Sequence, residues 1–217
     1  MSQPSTPAQQ YTRNPPLDEA DLLSDPLAQL EAWIEAARAA GMIEPGAMTL
    51  ATADAQGRPS ARIVLFKGYK DGGVCFYTNY ESHKGRDLAE NPQAALVFWW
   101  DKLERQVRLE GRVEKLPRED AQRYFRSRFR DSQIGAVTSR QSEVVTTREE
   151  LDARFEANAQ ALEGQPVPMP DFWGGYRLQP ESIEFWQGRG GRLHDRLRYV
   201  ALDGADAGRW KIERLEP

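Results

Sequence analysis

Near its C-terminus the chain reads Phe185-Trp186-Gln187-Gly188-Arg189-Gly190-Gly191-Arg192-Leu193-His194-Asp195-Arg196, a strand-like run, a glycine-rich turn and a second strand-like run. Glycines at 188, 190 and 191 permit close backbone approach and positive φ. Arg192 and Arg196 supply planar forks that match phosphate or carboxylate, Trp186 a face to stack on, and His194 a group that exchanges protons near neutral pH. Together they suit a planar anionic ligand. The same residues also describe an ordinary turn with solvated arginines, and residue types alone leave both readings open.

Other stretches offer similar chemistry. Arg62-Ile63-Val64-Leu65-Phe66-Lys67 is an apolar strand bracketed by cations. Its ends lie roughly 16 Å apart and point to opposite faces, so they either grip separate parts of an extended ligand or are unrelated solvated ends. Ser82-His83-Lys84-Gly85 opens a predicted helix, where free N–H groups, the positive end of the dipole and a lysine can hold a phosphate. Alternation along Arg105-Gln106-Val107-Arg108 sets Gln106 and Arg108 on one strand face, where an amide can read a heterocycle edge or simply meet water. Tyr124, Arg128 and Ser132 are spaced four apart, and on a continuous helix they would share a face that could hold a second phosphate. The two histidines, His83 and His194, are isolated and cysteine occurs once, so no metal site is expected. No spacing selects a nucleophilic triad or a hydrolytic carboxylate pair. What remains is a set of anion-holding groups and stacking aromatics, as in a site whose reaction belongs to an organic cofactor.

The elements that must position these groups are short. Residues 1 to about 23 carry four prolines and lack hydrophobic periodicity, which predicts a mobile arm with Tyr11 its only aromatic. A helix begins with Asp25 as N-cap and Pro26 at its first turn and stops at Gly41. Strands are predicted at residues 48–53, 59–67, 74–78, 93–100 and 105–115, with a short helix capped by Ser82 between the third and fourth. A helix over 118–126 leads into a polar stretch, 127–133. A longer helix spans 147–162, with Thr146 and Glu149 as its capping box. Strands resume near Tyr176, at Ile183, at Leu197 and over 210–214. The pattern is α+β and mainly β: an antiparallel barrel or strongly curled sheet in one domain over residues 24–217. No Gly-x-Gly-x-x-Gly follows a strand, and crossover helices are scarce, which opposes a doubly wound nucleotide fold.

With 217 residues and a net charge of −4, the chain suits one sizeable domain and argues against general nucleic-acid binding. The single Cys75 lies in a strand-like run and fits a reducing cytoplasm. The N-terminus lacks the pattern of a signal peptide, and the longest apolar run is far too short to cross a bilayer. A soluble, cytoplasmic protein is expected.

Taken together the motifs are specific. Arg62-Ile63-Val64-Leu65-Phe66-Lys67, Phe76-Tyr77-Thr78-Asn79, Leu103-Glu104-Arg105-Gln106-Val107, Arg130-Asp131-Ser132-Gln133-Ile134-Gly135, Phe172-Trp173-Gly174-Gly175 and Phe185-Trp186-Gln187-Gly188 with Arg192-Leu193-His194-Asp195-Arg196 occur in this order. The chain thereby resembles the pyridoxine (pyridoxamine) 5'-phosphate oxidase family from about Asp25 to Pro217. The resemblance implies a split β-barrel homodimer with two FMN sites at the subunit interface. Implied flavin contacts are Arg62, Ile63, Val64, Leu65, Phe66, Lys67, Tyr77, Thr78, His83, Lys84, Gln106, Gln141, Ser142, Trp186 and Arg196. Implied substrate contacts are Lys67, Tyr124, Arg128 and Ser132 around the phosphate, Tyr11 from the arm, and the catalytic pair Arg192 and His194 near the reacting carbon.

The implied reaction takes a hydride from C4' of pyridoxine or pyridoxamine 5'-phosphate to FMN, with dioxygen as acceptor giving hydrogen peroxide. Two departures from the family pattern stand out. His83 occupies a place where arginine is usual, which implies a weaker, pH-dependent contact to the FMN phosphate. The arm reads Ala8-Gln9-Gln10 where some relatives carry arginines. Two other readings differ in consequence: a split-barrel reductase using flavin or a deazaflavin on another substrate, and a non-catalytic module that binds FMN or pyridoxal phosphate.

Overall fold

The computed structural model describes Tyr11 and residues 13–203 and 208–217. The Ala8-Gln9-Gln10 segment lies outside the described residues, as does the rest of the expected arm before Tyr11. Nine strands form one sheet: β1 (Ala47–Ala53), β2 (Pro59–Leu65), β3 (Tyr69–Lys70), β4 (Gly73–Asn79), β5 (Gln93–Trp100), β6 (Arg105–Lys115), β7 (Trp173–Gln187), β8 (Asp195–Ala201) and β9 (Trp210–Arg214). The strand order is β2-β1-β5-β6-β7-β4-β3, with β8 pairing β7 and β9. Five helices accompany it among the described residues: α1 (Pro26–Ala39), α2 (His83–Glu90), α3 (Arg118–Ser127), α4 (Arg130–Thr138) and α5 (Arg148–Ala161). No described helix is long and apolar enough to cross a membrane.

The described chain divides into two compact units. Of the described residues, one contains Tyr11 and residues 13–49, 95–111, 180–203 and 208–217, the other residues 50–94 and 112–179. In the first unit α1 starts as its sequence dictates, the Asp25 side chain accepting from the Leu27 N–H with Pro26 at the first turn. The 3.6-residue period buries Leu30, Trp33, Ile34 and Ala37, and Trp33 meets the ring of Phe185 edge-on at 5.1 Å. Residues 13–23 are anchored. The Leu17 N–H donates to Asp195 at 3.0 Å, Asn14 Nδ2 to the Leu103 carbonyl at 2.8 Å, and the Tyr199 hydroxyl to the Leu23 carbonyl at 2.5 Å.

In the second unit one buried cluster is Phe125, Ile134, Val167 and Trp173, with Tyr77, Tyr124, Phe155 and Leu162 packed against it. Four local expectations are corrected or refined here. The strand from Arg62 stops at Leu65, so Phe66 and Lys67 lie beyond its end. The cap of α5 is Thr147, one residue later than expected, accepting from the Glu150 N–H. Residues 127–133, expected only as a polar stretch after that helix, mostly begin α4. Finally, Tyr124, Arg128 and Ser132 do not share one helix, because Arg128 is extended (φ −75°, ψ 152°) and ends α3. Side chains hold that break: Ser127 Oγ donates to the Tyr124 carbonyl in the last turn of α3 at 2.8 Å, and Gln133 Nε2 to the carbonyl of Arg128, the residue just past it, at 2.8 Å.

The two strands expected near Tyr176 and Ile183 are one strand, β7. It pairs with β4 through residues 173–178 and with β8 through residues 182–187. Pro180, which has no N–H to give, falls between these two ladders.

Candidate functional site

In the second unit, β2, β4, α2, α3 and the loop after α4 converge on a pocket of about 270 Å³. Of the expected flavin and substrate contacts, Ile63, Val64, Leu65, Lys67, Tyr77, Thr78, Lys84, Tyr124, Arg128 and Gln141 all line it. Lys84 is 8% exposed, and its Nζ donates to Gln141 Oε1 at 2.8 Å and Thr78 Oγ1 at 3.2 Å. These acceptors are neutral. Burial first, and the nearby Arg62 second, lower its pKa to about 8. A buried ammonium with no carboxylate partner among the described residues is a place for an anion.

Helix α2 is pressed tightly into position. A Cβ on Gly85 would lie 2.0 Å from the Tyr80 carbonyl oxygen, and the Ser82 cap at its start is fully buried. Arg62 lies outside the pocket lining, held by Thr52 Oγ1 at 2.6 Å and by the buried Asp87 at 3.8 Å. Asp87 also accepts from Thr52 and Ser60 and stands 3.4 Å from His83 Nε2. The His83 N–H donates to Ser142 Oγ at 3.2 Å. Ser142 takes φ 76°, the left-handed region unfavourable for a residue with a side chain. His83, Phe66, Ser142 and Ser132 do not line the pocket, and Ser132 is exposed on α4.

The opposite wall is aromatic. Tyr77 and Tyr124 stack at 3.9 Å, Tyr77 and Trp173 at 5.7 Å, and the Arg128 guanidinium lies 4.9 Å from the Trp173 ring centre. Arg128 Nη1 is buried without any hydrogen-bond partner, and burial lowers the pKa of the group. A guanidinium nitrogen shut from water and unbonded costs free energy that an incoming oxyanion recovers. Trp173 was not among the expected contacts, although the Phe172-Trp173-Gly174-Gly175 run marked it.

The first unit carries a second set of groups. Trp186 on β7 is bordered by His194 at 4.6 Å, Tyr11 at 5.6 Å and Trp99 at 5.9 Å between ring centres. Gly188 admits Tyr11: a Cβ there would sit 2.6 Å from the tyrosine Cγ. Arg196 is clamped by the buried Glu184 through two bonds of 2.8 and 3.0 Å, and Glu184 also faces Arg108 at 3.5 Å. Glu184 was missed in the sequence, where one carboxylate in an alternating strand carries no signal. Gln106 is partly buried on β6, two residues before Arg108. Arg192 is exposed with φ 63°, a left-handed backbone that costs about 1–2 kcal/mol for a non-glycine residue. His194 has its pKa lowered by burial and by Arg192, against an opposing pull from Asp195.

Chemically, then, one unit presents unpaired cations beside stacked rings. The other presents an indole wall with arginines and an imidazole.

Comparison with known proteins shows which family the chain resembles. Residues 33–160 match the family described as pyridoxamine 5'-phosphate oxidase, and residues 173–217 match the pyridoxine 5'-phosphate oxidase C-terminal dimerisation region. A pyridoxine/pyridoxamine 5'-phosphate oxidase from Burkholderia cenocepacia (strain HI2424) is 57% identical over 201 residues, 93% of each chain. The crystal structure of PhzG from Burkholderia lata 383, in complex with tetrahydrophenazine-1-carboxylic acid, superposes with a TM-score of 0.84 at 34% identity, covering 91% of this chain and 95% of that one. A pyridoxamine 5'-phosphate oxidase-related, FMN-binding protein from Nostoc punctiforme shares the fold at 16% identity, with a TM-score of 0.70 over 88% of this chain and 96% of that one. The antiparallel split-barrel architecture expected from the sequence is the fold of these neighbours.

Proposed function

The chain belongs to the pyridoxamine 5'-phosphate oxidase family, and from that membership and the site geometry we propose that it oxidises pyridoxine and pyridoxamine 5'-phosphate to pyridoxal 5'-phosphate. FMN is its cofactor, and when bound it supplies the two-electron acceptor for the hydride leaving C4', with dioxygen as final acceptor. The pocket residues suit it: Lys84, Thr78, Gln141 and the start of α2 would hold the FMN phosphate, and β2 would run along the ring system. Lys67, Tyr124 and Arg128 would hold the substrate phosphate. Trp186, Arg196, Arg192 and His194 would come from the dimerisation region of a second copy of the chain, in keeping with the match over residues 173–217. The protein's part is alignment and charge compensation, with two phosphorylated planar molecules held at fixed distance.

One observation carries the reading. A single pocket contains two cationic side chains, Lys84 and Arg128, that are desolvated and lack any carboxylate partner among the described residues. Two anionic groups are therefore needed, which fits a phosphorylated cofactor together with a phosphorylated substrate. The PhzG complex raises a second reading, a reduced phenazine carboxylate as substrate, which offers a carboxylate to Arg128 in place of a phosphate.

Anaerobic addition of each compound to the flavin-loaded protein separates the two. Bleaching of the flavin by pyridoxine 5'-phosphate, followed by oxygen uptake on aeration, is expected. Reduction by the phenazine alone would replace the first reading with the second, and reduction by neither would remove both. Arg192→Ala and His194→Ala should each depress turnover while flavin stays bound.

A further inference from the structure

The turn joining β7 to β8 is tied together by a bond between the main chain and an imidazole. The Arg189 N–H donates to Nδ1 of His194 at 3.1 Å. Arg189 is itself extended (φ −136°, ψ 153°), and its side chain is fastened at two points: Nη1 donates to the Asn14 carbonyl at 3.1 Å, and Nε lies 3.6 Å from Asp195. Asp195 in turn accepts from the Leu17 N–H at 3.0 Å and from Arg214 at 3.2 Å. The main-chain donor is therefore held by the same residues that anchor the described part of the N-terminal segment.

We infer that Arg189 is a positioning residue whose main-chain N–H fixes His194 as the Nε2–H tautomer, so that the imidazole serves a ligand as a hydrogen-bond donor and not as a proton acceptor. A neutral imidazole has one N–H and one lone pair. With the Nδ1 lone pair engaged by Arg189, the proton resides on Nε2. Conversion to imidazolium would place a second hydrogen on Nδ1, facing the Arg189 N–H, and would cost that bond. The surrounding charges act in the same direction or are spent elsewhere. Arg192 opposes a second positive charge, Asp195 is shared among Leu17, Arg189 and Arg214, and the other faces are the rings of Trp186 and Tyr11.

For the oxidation proposed above, on which this inference rests for its role in turnover, His194 would orient an acceptor atom of the substrate. The proton released when an alcohol or amine is oxidised would have to leave by another route.

The chain has two histidines, so uniform labelling of histidine with nitrogen-15 in the flavin-loaded protein, with His83→Asn for assignment, reads the tautomer directly. Above about pH 6.5, Nδ1 of His194 should report as unprotonated and Nε2 as protonated, without substrate present. An Nδ1–H signal, or averaging of the two nitrogens, would overturn the inference.

Arg189→Ala should release the anchor: the two nitrogens begin to average, the histidine titrates at higher pH, and kcat falls about five- to tenfold with KM less affected. Arg189→Lys should recover part of both. An unchanged tautomer in Arg189→Ala would show the side chain to be irrelevant and reject the positioning role. Because the spectrum is recorded without substrate, a chain that failed to oxidise pyridoxine 5'-phosphate would refute the proposed function while leaving the tautomer assignment standing.

Discussion

Replacing Lys84 by methionine should weaken FMN binding and strengthen the flavin-free protein at the same time. Lys84 is 8% exposed and its ammonium is bonded only to neutral oxygens. Its pKa falls from 10.5 to about 8, so the folded chain carries a charge it holds poorly. The full shift corresponds to roughly 3 kcal/mol, and water reaching part of the group reduces it to about 1–2 kcal/mol. Below about pH 8 the folded and unfolded states are both protonated, and the whole cost is present. Between pH 8 and 10.5 the unfolded chain binds more protons than the folded one, so stability from this group rises with pH across that window.

Flavin-free Lys84→Met should therefore exceed the parent protein by about 1–2 kcal/mol in urea denaturation at pH 7, with the gap closing above pH 8. A charge-assisted contact to phosphate is worth about 1.5–3 kcal/mol, so the same variant should bind FMN roughly 10- to 150-fold more weakly by fluorescence titration. Flavin affinity of the parent should decline as pH rises past 8, and that decline should be missing in the variant. A destabilised Lys84→Met with undiminished flavin affinity would mean that Lys84 serves the fold and not an anion.

Three further outcomes follow from the packing. Glu184→Gln removes the buried carboxylate that the partly exposed Arg196 and Arg108 share, and should lower stability by about 1–2 kcal/mol in urea denaturation. Gly85→Ala places a methyl group against the Tyr80 backbone; it should cost at least about 2 kcal/mol and shift the start of α2, seen as weaker flavin retention on gel filtration. Cys75 is buried, with its thiol pushed up to about 11, so native protein at pH 8 should resist alkylation that proceeds readily in denaturant.

What could be read from the sequence was whatever depended on local rules. The turn after Gln187 was legible because three glycines separate two alternating runs, and α1 because Asp25 and Pro26 announce its start. The break between α3 and α4 was not, since it depends on Ser127 and Gln133 reaching particular carbonyls, and polar side chains of that kind look alike before folding. The join within β7 was hidden for a different reason. Pro180 reads as a strand breaker, but here it occupies the step where the strand exchanges one partner for another. Glu184 and Arg189 were invisible because their importance lies in what they hold, and those partners are fixed only when β6, β7, β8 and the N-terminal segment are in register.

The same distinction separates two kinds of cationic side chain in this protein. Arg196, Arg177 and Arg214 are each matched to carboxylates, and their charges are satisfied by the fold. Arg128 and Lys84 are not, and both are desolvated. A chain selected for stability alone would have paired these two or replaced them with apolar residues, since uncompensated buried charge is among the more destabilising features a domain can carry. Their retention beside a stacked aromatic wall makes the flavin-free protein less stable than its fold allows. Anionic ligands reverse that deficit by binding only the folded state, so the stability gained on adding FMN, and the further gain on adding a phosphorylated substrate, measure how much of the site's charge was left for ligands to complete.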